Sequence, residues 1–410
     1  MDPTLNPFAP GAGAPPPELA GRDEVLASAS LALQRAKAGR AAKSLMLLGL
    51  RGVGKTVLLN QIAEIAEAEA LHALVLESPE HEPLADLLVP KLRALLLKLS
   101  RVEKTAHRAR AALGVLRAFA TAFKAKIGDV EFTVAPAVGV ADTGSLEYDL
   151  PDLFFAVAET MREVDSVLVL CIDEVQYLGK TDLSALIVAI HKLAQKSMPF
   201  LFFGAGLPQV ATLAGEAKSY AERLFDYPKI EALDPAGARD AIVKPLEREG
   251  VGISDHAVQR IVEETHAFPY FLQEWGFHVW NETETPPVNV TDVQRATVRA
   301  RAALDESFFH VRFARLTERE RDYARAMASL GPGPQRSGAI ADVLGVPVTS
   351  AASLRNELIK KGMVFSPQHG ETQFTVPMFD DFLRRAMPEW KPPKPARPPL
   401  TRKRTPKGRA

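Results

Sequence analysis

The sequence predicts an α/β protein: a parallel β-sheet covered by helices on both faces, then a helical segment and a smaller C-terminal unit. Four short apolar runs support this prediction, at Ser44–Leu50, Ala73–Glu77, Val167–Ile172 and Phe200–Phe203. Turn residues and a helical pattern follow these runs. Apolar runs that alternate with helices are typical of strands buried on both faces of a parallel sheet.

The composition is that of a soluble chain with two or three domains. Its 410 residues include 50 basic and 50 acidic side chains, which excludes a uniformly basic nucleic-acid coat and an acidic disordered chain. Residues 391–410 hold eight Lys or Arg, six Pro and no acid, which leaves 42 basic against 50 acidic residues elsewhere. The single cysteine, Cys171, excludes an intramolecular disulfide. Because the chain shows neither a secretory signal nor a bilayer-spanning apolar run, we expect a cytoplasmic protein without membrane contact.

Changes of pattern along the chain predict five segments. Residues 1–17 contain six prolines and are expected to form a disordered arm. The others are a sheet-based core at 18–232 with a basic helical insertion at about 83–147, a helical lid at 233–312, a winged helix at 313–388 and a basic, proline-rich disordered tail at 389–410.

The insertion carries a cluster of positive charge. Residues 91–126 hold ten Lys or Arg and a single acid, Glu103. This is typical of a solvated helical face whose side-chain stems cover apolar surface. Contact with nucleic acid or another anionic partner is the alternative. Residues 127–147 mix β-branched residues with Gly and Pro, which predicts a loop or hairpin.

The segment from about 315 to 388 has the pattern of a winged helix. Thr317 and Glu320 fit a capping box at the start of its first helix. A helix–turn–helix and a small hairpin follow. The predicted elements are Arg319–Leu330, Ala339–Leu344, Ser350–Lys361, Met363–Ser366 and Thr372–Val376. With ten basic and nine acidic residues, the range 315–390 is nearly neutral.

The strongest functional signal lies between the first strand and the helix after it. The chain there matches G-x-x-x-x-G-K-[ST]. Glycines allow successive backbone N–H groups to point at phosphate oxygens, and the helix N-terminus favours negative charge. We expect Lys55 to reach the β- and γ-phosphates of ATP and Thr56 to bind Mg²⁺. The predicted nucleotide-binding residues are Gly49, Leu50, Arg51, Gly52, Val53, Gly54, Lys55, Thr56 and Val57.

Two acids end the third apolar run. Asp173 and Glu174 follow Val167–Ile172 directly, and ligands of parallel sheets bind at the carboxyl ends of strands. We expect Asp173 to hold Mg²⁺, through water, and Glu174 to activate the attacking water as a general base. Cys171 lies within the run and is expected to be a small buried residue.

These motifs resemble those of AAA+ type ATPases. The chain is similar, over about residues 15–390, to the branch shared by origin-recognition-type initiators, archaeal-type ATPases and STAND signalling ATPases. This resemblance implies a P-loop NTPase core, a helical lid and a winged helix. Pro17–Arg22 resembles that branch's N-terminal box, which implies adenine contact near Gly21 and Arg22; a plain loop-to-helix turn is the alternative.

Two further segments resemble family motifs. Thr265–Tyr270 resembles the lid motif Gly-x-Pro, with Ala267 in place of the glycine, and implies that Pro269 approaches the nucleotide; it is equally typical of a first helical residue. Ser219–Phe225 resembles the segment with the arginine finger, which implies that Arg223 acts on a neighbouring subunit of a nucleotide-dependent homo-oligomer. A surface arginine is the alternative. The polar sensor often found after the fourth strand is missing from Gly204–Pro208.

Three functions are compatible with this sequence. In the first, an ATP-hydrolysing switch acts on DNA or a nucleoprotein partner, with the winged helix on duplex DNA and the tail on its phosphates. In the second, a STAND-like signalling ATPase uses its winged helix for protein contacts. In the third, a nucleotide-binding scaffold barely hydrolyses ATP, which an intact Glu174 argues against.

Overall fold

The computed structural model describes residues 1–11, 13–80, 82–125 and 134–392. The chain divides into two compact units, Met1–Ala302 and Ala303–Ala410. Each unit is built around its own sheet, and each has its own hydrophobic core.

Unit 1 contains a five-stranded sheet in which all the paired strands are parallel. Its strands are β1 (Ser44–Leu48), β2 (His72–Glu77), β3 (Leu168–Asp173), β4 (Phe200–Gly206) and β5 (Phe225–Asp226), in the spatial order β2-β3-β4-β1-β5. Its helices are α1 (Asp23–Lys37), α2 (Lys55–Ala68), α3 (Leu84–Leu99), α4 (Ala106–Ala122), α5 (Leu146–Glu163), α6 (Lys180–Gln195), α7 (Val210–Ala217), α8 (Ala221–Leu224), α9 (Pro235–Arg248), α10 (Asp255–Thr265), α11 (Pro269–Glu282) and α12 (Val290–Ala303).

The sheet is covered on both faces, as the sequence predicts. Along β3, Leu168, Leu170 and Ile172 pack into one core with α3 to α6, whereas Val169 and Cys171 pack into a second core with α1 and α2. This alternation follows from the two-residue side-chain period of a strand. Cys171 is fully buried, and its burial raises the pKa of the thiol to about 12, so the thiol is a core group.

The register brings the functional strand ends together. Leu48 of β1 pairs with Gly206 of β4, and Ile172 of β3 pairs with Gly204. The loop after β1 and the acids at the end of β3 therefore flank the glycine-rich end of β4. This is the carboxyl edge of the sheet, where parallel sheets bind ligands.

Between β2 and β3, the described residues of the insertion and the segment after it contain the helices α3, α4 and α5. Two cations of the insertion pair with acids of α5 or of the turn after it: Lys104 with Asp165, and Arg108 with Glu159 and Glu163. These contacts favour the solvated-face interpretation for that part of the cluster. The loop or hairpin predicted at 127–147 lies partly outside the described residues; within 134–145 there is no strand.

The described residues of the N-terminal arm are irregular apart from one 3₁₀ turn, Pro3–Leu5, and the arm packs on α11. Phe8 is buried against Gly276, where an added Cβ would lie 2.5 Å from the phenyl ring. Asn6 Nδ2 donates to Phe277 O, and Trp280 Nε1 donates to Asp2 O. The expectation of a disordered arm at 1–17 did not include this packing.

Unit 2 is a helical domain with a small antiparallel sheet. Its helices are the π-helical segment Leu304–Phe309, α13 (His310–Ala314), α14 (Glu318–Ser329), α15 (Ser337–Leu344), α16 (Val348–Lys360) and α17 (Phe379–Ala386). Its strands are β6 (Gln335–Arg336), β7 (Val364–Phe365) and β8 (Glu371–Phe374), in the order β6-β8-β7. The capping box of Thr317 and Glu320 is present at the start of α14.

Among the described residues, no single helix combines the length and apolarity needed to cross a bilayer; only the bent pair of α15 and α16 meets that test of length and composition when the two helices are counted together.

The packing of Phe8 predicts that Gly276→Ala releases the arm. The new methyl group must displace the phenyl ring, so residues 1–17 should become more accessible to limited proteolysis. Gly215→Ala is the matched control, because Gly215 lies in α7 with no atom near its Cβ position, and alanine favours a helix. Equal cleavage rates in the arm of both variants would contradict the prediction.

Candidate nucleotide-binding site

The loop between β1 and α2 depends on its glycines. Gly52 and Gly54 have φ values of 81° and 91°, a backbone conformation that other residues rarely adopt. A Cβ at Gly49 would collide with the carbonyl oxygen of Ile230 and lie 2.8 Å from Val53 Cγ2. The loop therefore curls tightly, and α2 begins at Lys55 directly behind it.

Lys55 is buried inside this loop. Its Nζ donates to the carbonyl oxygens of Gly49 at 3.0 Å and Leu50 at 2.8 Å. Burial lowers the pKa of the ammonium group to about 8, against the opposing effect of Glu174 and Asp173. The carbonyl dipoles and the nearby acids offset only part of the cost of burying this charge. The ammonium group is therefore suited to bind an incoming anion.

Thr56 and Asp173 lie close enough to share a cation. Thr56 Oγ1 donates to Asp173 Oδ2 at 2.5 Å, across the space between α2 and β3. Burial is the largest influence on Asp173 and raises the pKa of its carboxyl group, whereas the Thr56 hydrogen bond lowers it. A hydroxyl and a carboxylate are hard oxygen ligands, so these residues fit Mg²⁺.

Glu174 follows in a left-handed backbone conformation, with φ of 53°. Its Oε1 lies 3.8 Å from Arg51 Nη1 in the loop, and its Oε2 accepts a hydrogen bond from Gln176 Nε2. Arg51 Nη2 also donates to the Tyr177 hydroxyl at 2.6 Å. The sequence reasoning missed Gln176 and Tyr177, although their position just after the paired acids was a signal for them.

Gly21 and Arg22 lie beside the loop. Arg22 is buried, and its Nη2 donates hydrogen bonds to Val53 O at 3.2 Å and to Glu231 O at 2.6 Å. Burial is the main cause of its lowered pKa. Gly21 has φ of 64°, and an added Cβ would lie 3.3 Å from Leu233 Cδ2. The segment thus joins the loop to the start of α9.

The first turn of α11 touches the loop from another side. Tyr270 N donates to Gly52 O at 3.1 Å. Pro269 is the first residue of α11, immediately before this contact. Ala267 has φ of 56°, which explains why glycine suits this position in the related motif. Tyr270 was not predicted from the sequence.

Of the remaining predicted residues, Leu50 and Val57 are half-buried at the loop and on the first turn of α2. Arg223 is exposed on α8, just before Phe225 of β5 pairs with Ser44 at the start of β1. It therefore lies at the amino edge of the sheet, about 13 Å or more from its own loop at ~3.3 Å per residue of strand. The structure does not bring Arg223 into the site.

Comparison with known families agrees with this geometry. Residues 18–203, which include the loop and both acids, match the AAA ATPase domain family. These residues are an AAA+ ATPase domain. Residues 306–383 match a second family, described as a domain of unknown function (DUF8462). No curated protein matches the chain.

Solved structures resemble this chain in fold over most of its length. A Walker-type ATPase of Pyrococcus abyssi is 15% identical with a TM-score of 0.57, over 90% of this chain and 98% of that one. The ORC2 protein of Aeropyrum pernix, in its ADP form, is 15% identical with a TM-score of 0.51, over 94% and 98% respectively. At this identity the likeness concerns the P-loop NTPase fold and the helical C-terminal domain.

The close packing at Gly49 predicts that Gly49→Ala disrupts the site. The added methyl group must push the loop away from Ile230, so we expect a lower melting temperature and at least about tenfold weaker nucleotide binding, a cost of ~1.4 kcal/mol or more. The control is Gly179→Ala before α6, where φ is −58° and no atom lies within 4 Å of the added Cβ. Unchanged affinity in Gly49→Ala would contradict the prediction.

Proposed function

We propose that the protein binds ATP with Mg²⁺ at the loop after β1 and hydrolyses it, as a molecular switch. The observation that carries this proposal is the hydrogen bond between Thr56 and Asp173 beside the buried Lys55. A hydroxyl, a carboxylate and an ammonium group in one site are what a metal-bound triphosphate needs. The ADP form of the Aeropyrum protein, similar in fold, supports a nucleotide as the ligand.

Each residue has a role in this proposal. Lys55 exchanges its bonds to loop carbonyls for bonds to the β- and γ-phosphates, and backbone N–H groups of Gly49–Val57 bind the remaining phosphate oxygens. Thr56 and Asp173 hold Mg²⁺, which supplies charge neutralisation between the phosphates. Glu174 accepts a proton from the attacking water. In this proposal Gly21 and Arg22 contact the adenine base, and Pro269 approaches the nucleotide.

Arg223 completes the proposal through a second subunit. Because it lies at the edge of the sheet opposite its own loop, any action on a γ-phosphate requires a neighbouring copy. Arg223 is exposed, as a residue that acts on a neighbouring subunit must be. We therefore propose a homo-oligomer that assembles with nucleotide.

We propose that the C-terminal unit is a winged helix, in which α16 is the second helix of the helix–turn–helix. Three basic residues on or beside α16 are held within the unit. Arg355 donates to Thr372 Oγ1 and Glu371 O, Lys360 pairs with Glu357, and Lys361 pairs with Glu320. The exposed residues of its first turns, Pro347 to Ser350, are uncharged. This arrangement favours the second candidate, in which the unit makes protein contacts, as in STAND-like signalling ATPases.

Action on DNA then depends on charge outside α16. In the candidate that acts on DNA, the tail at 391–410 supplies sequence-independent contacts to phosphates, and the exposed cations of the basic insertion form a second site. Lys91 and Lys98 on α3, Arg110 on α4 and Arg101 in the turn between the two helices are exposed.

The proposed chemistry predicts different defects for two substitutions. Lys55→Ala should abolish measurable ATP binding, because the buried cation for the phosphates is lost. Glu174→Gln should bind ATP normally but lower its turnover by at least about 100-fold, the usual contribution of a general base. Binding titrations and phosphate release measure the two effects. Lys43→Ala, which removes an exposed ion pair with Asp226, is the control and should change neither. Wild-type turnover in Glu174→Gln would remove that residue from the mechanism.

The distribution of charge predicts how any DNA binding responds to salt. Removing residues 391–410 takes away eight cations, so the slope of log affinity against log salt should fall by up to about 7, at ~0.9 per neutralised phosphate. Lys360→Ala should leave the slope unchanged, because that cation already pairs with Glu357. Duplex-binding titrations at several salt concentrations test this. A lower slope for Lys360→Ala would instead support DNA docking by α16.

A further inference from the structure

Gln176 joins two parts of the site that the sequence leaves unconnected. Its side-chain Nε2 donates to Glu174 Oε2, while its Oε1 accepts a hydrogen bond from Leu207 N at 3.0 Å. Leu207 is the first residue after β4. One amide side chain therefore bridges the predicted general base and the carboxyl end of the neighbouring strand.

Gly206, the last residue of β4, makes room for this bridge. A Cβ at Gly206 would lie 2.7 Å from Gln176 Oε1, which is too close for an ordinary contact. The missing polar side chain in Gly204–Pro208 and the presence of Gln176 are thus two aspects of one arrangement. The polar group at this strand end comes from the segment after β3, and β4 contributes only its backbone N–H.

The bridge also accounts for how Glu174 keeps its conformation. A non-glycine residue with φ of 53° is strained and needs its surroundings to hold it. Asp173 Oδ1 accepts from Glu174 N at 2.7 Å on the backbone side, and Gln176 and Arg51 hold the two carboxylate oxygens on the side-chain side. Of these partners, only Gln176 also connects the carboxylate with β4.

We propose that Gln176 is the positioning residue of the general base: it orients the Glu174 carboxylate and links that orientation to the end of β4. This inference rests on the proposed ATPase function. It assigns to Gln176 the task for which a polar side chain on β4 is missing. A shift of the strand end at Leu207 then reaches Glu174 through one hydrogen-bonded amide, so phosphate release and the position of β4 are coupled.

Two substitutions separate this role from simple support of the strand. Gln176→Met keeps the length of the side chain but removes both hydrogen bonds. Gln176→Glu keeps an acceptor for Leu207 N–H but loses the donor to Glu174 and adds a like charge. We expect Gln176→Met to lower kcat for ATP about tenfold with the Kd for ATP within about twofold of the wild-type value. Gln176→Glu should be impaired at least as much.

Phosphate release under saturating ATP, ATP-binding titrations and thermal unfolding test these expectations on the full chain. Gln195→Met, at an exposed site at the end of α6, is the matched control and should retain wild-type kcat. Wild-type kcat in Gln176→Met would overturn the inference. Wild-type kcat in Gln176→Glu would overturn it as well, because it would mean that only the hydrogen bond from Leu207 N matters. If Gln176→Met does not fold, Gln176→Glu still decides. Wild-type protein without turnover would contradict the ATPase proposal, and this inference with it.

Discussion

The nucleotide site is organised around the buried ammonium group of Lys55. Removing such a cation from water costs free energy that two carbonyl hydrogen bonds only partly return, and the pKa of about 8 reports this imbalance. The loop can enclose the cation because neighbouring segments hold it on several sides. Arg22 bonds Val53 O, Tyr270 N bonds Gly52 O, and the segment at Ile230 packs against Gly49. The rigidity of the loop thus comes from the segments flanking α9 and α11, far away in sequence.

This constraint links phosphate binding to the helices after the sheet. Gly52 O accepts from the first turn of α11, and Arg22 ties the loop to Glu231, three residues before the cap of α9 at Asp234. A phosphate that draws Lys55 away from the loop carbonyls changes the same backbone that these contacts hold. In a switch, coupling of this kind needs a ligand that interacts differently with two arrangements. The loop offers such an element, because its carbonyls serve both the cation and the neighbouring segments.

The parts of the fold that depend on short-range patterns could be predicted from the sequence. The alternation of apolar runs and helices predicts the doubly covered parallel sheet, and the helix expected after the first strand is α2. The glycine loop and the acids at 173 and 174 were found because a P-loop needs glycines at fixed offsets and a strand delivers its last residues to the sheet edge. β5 and β6 were missed, since two-residue strands carry no periodicity; β7 is equally short, but it was predicted as part of a hairpin with β8. The helix α5 was missed because it follows the ambiguous residues 127–147.

Contacts between distant residues could not be predicted in the same way. Gln176 matters because Leu207 N lies within hydrogen-bond distance, a relation that only the pairing of β3 with β4 creates. Phe8 is one apolar residue in a proline-rich arm, and the sequence of that arm does not predict that its ring packs in the space beside Gly276. The basic residues on or beside α16 are visible in the sequence. Their intramolecular contacts with Thr372, Glu357 and Glu320, which are not, decide how much positive charge they present to another molecule.

The same reasoning changes the meaning of the charge balance. A count of cations measures potential contact with phosphate only where the cations lack protein partners, because a paired cation must give up its acid before it can replace a counterion. Arg108 pairs with acids of α5, Lys104 pairs with Asp165 in the turn after α5, and Lys360 pairs with Glu357 on α16. These exposed pairs contribute little to stability, yet they reduce the positive potential of the faces that carry them. The eight cations of 391–410 have no acid within their own segment. The equal totals of 50 basic and 50 acidic residues therefore conceal an uneven distribution of charge. The sequence-independent part of any attraction to an anionic partner belongs mainly to that segment.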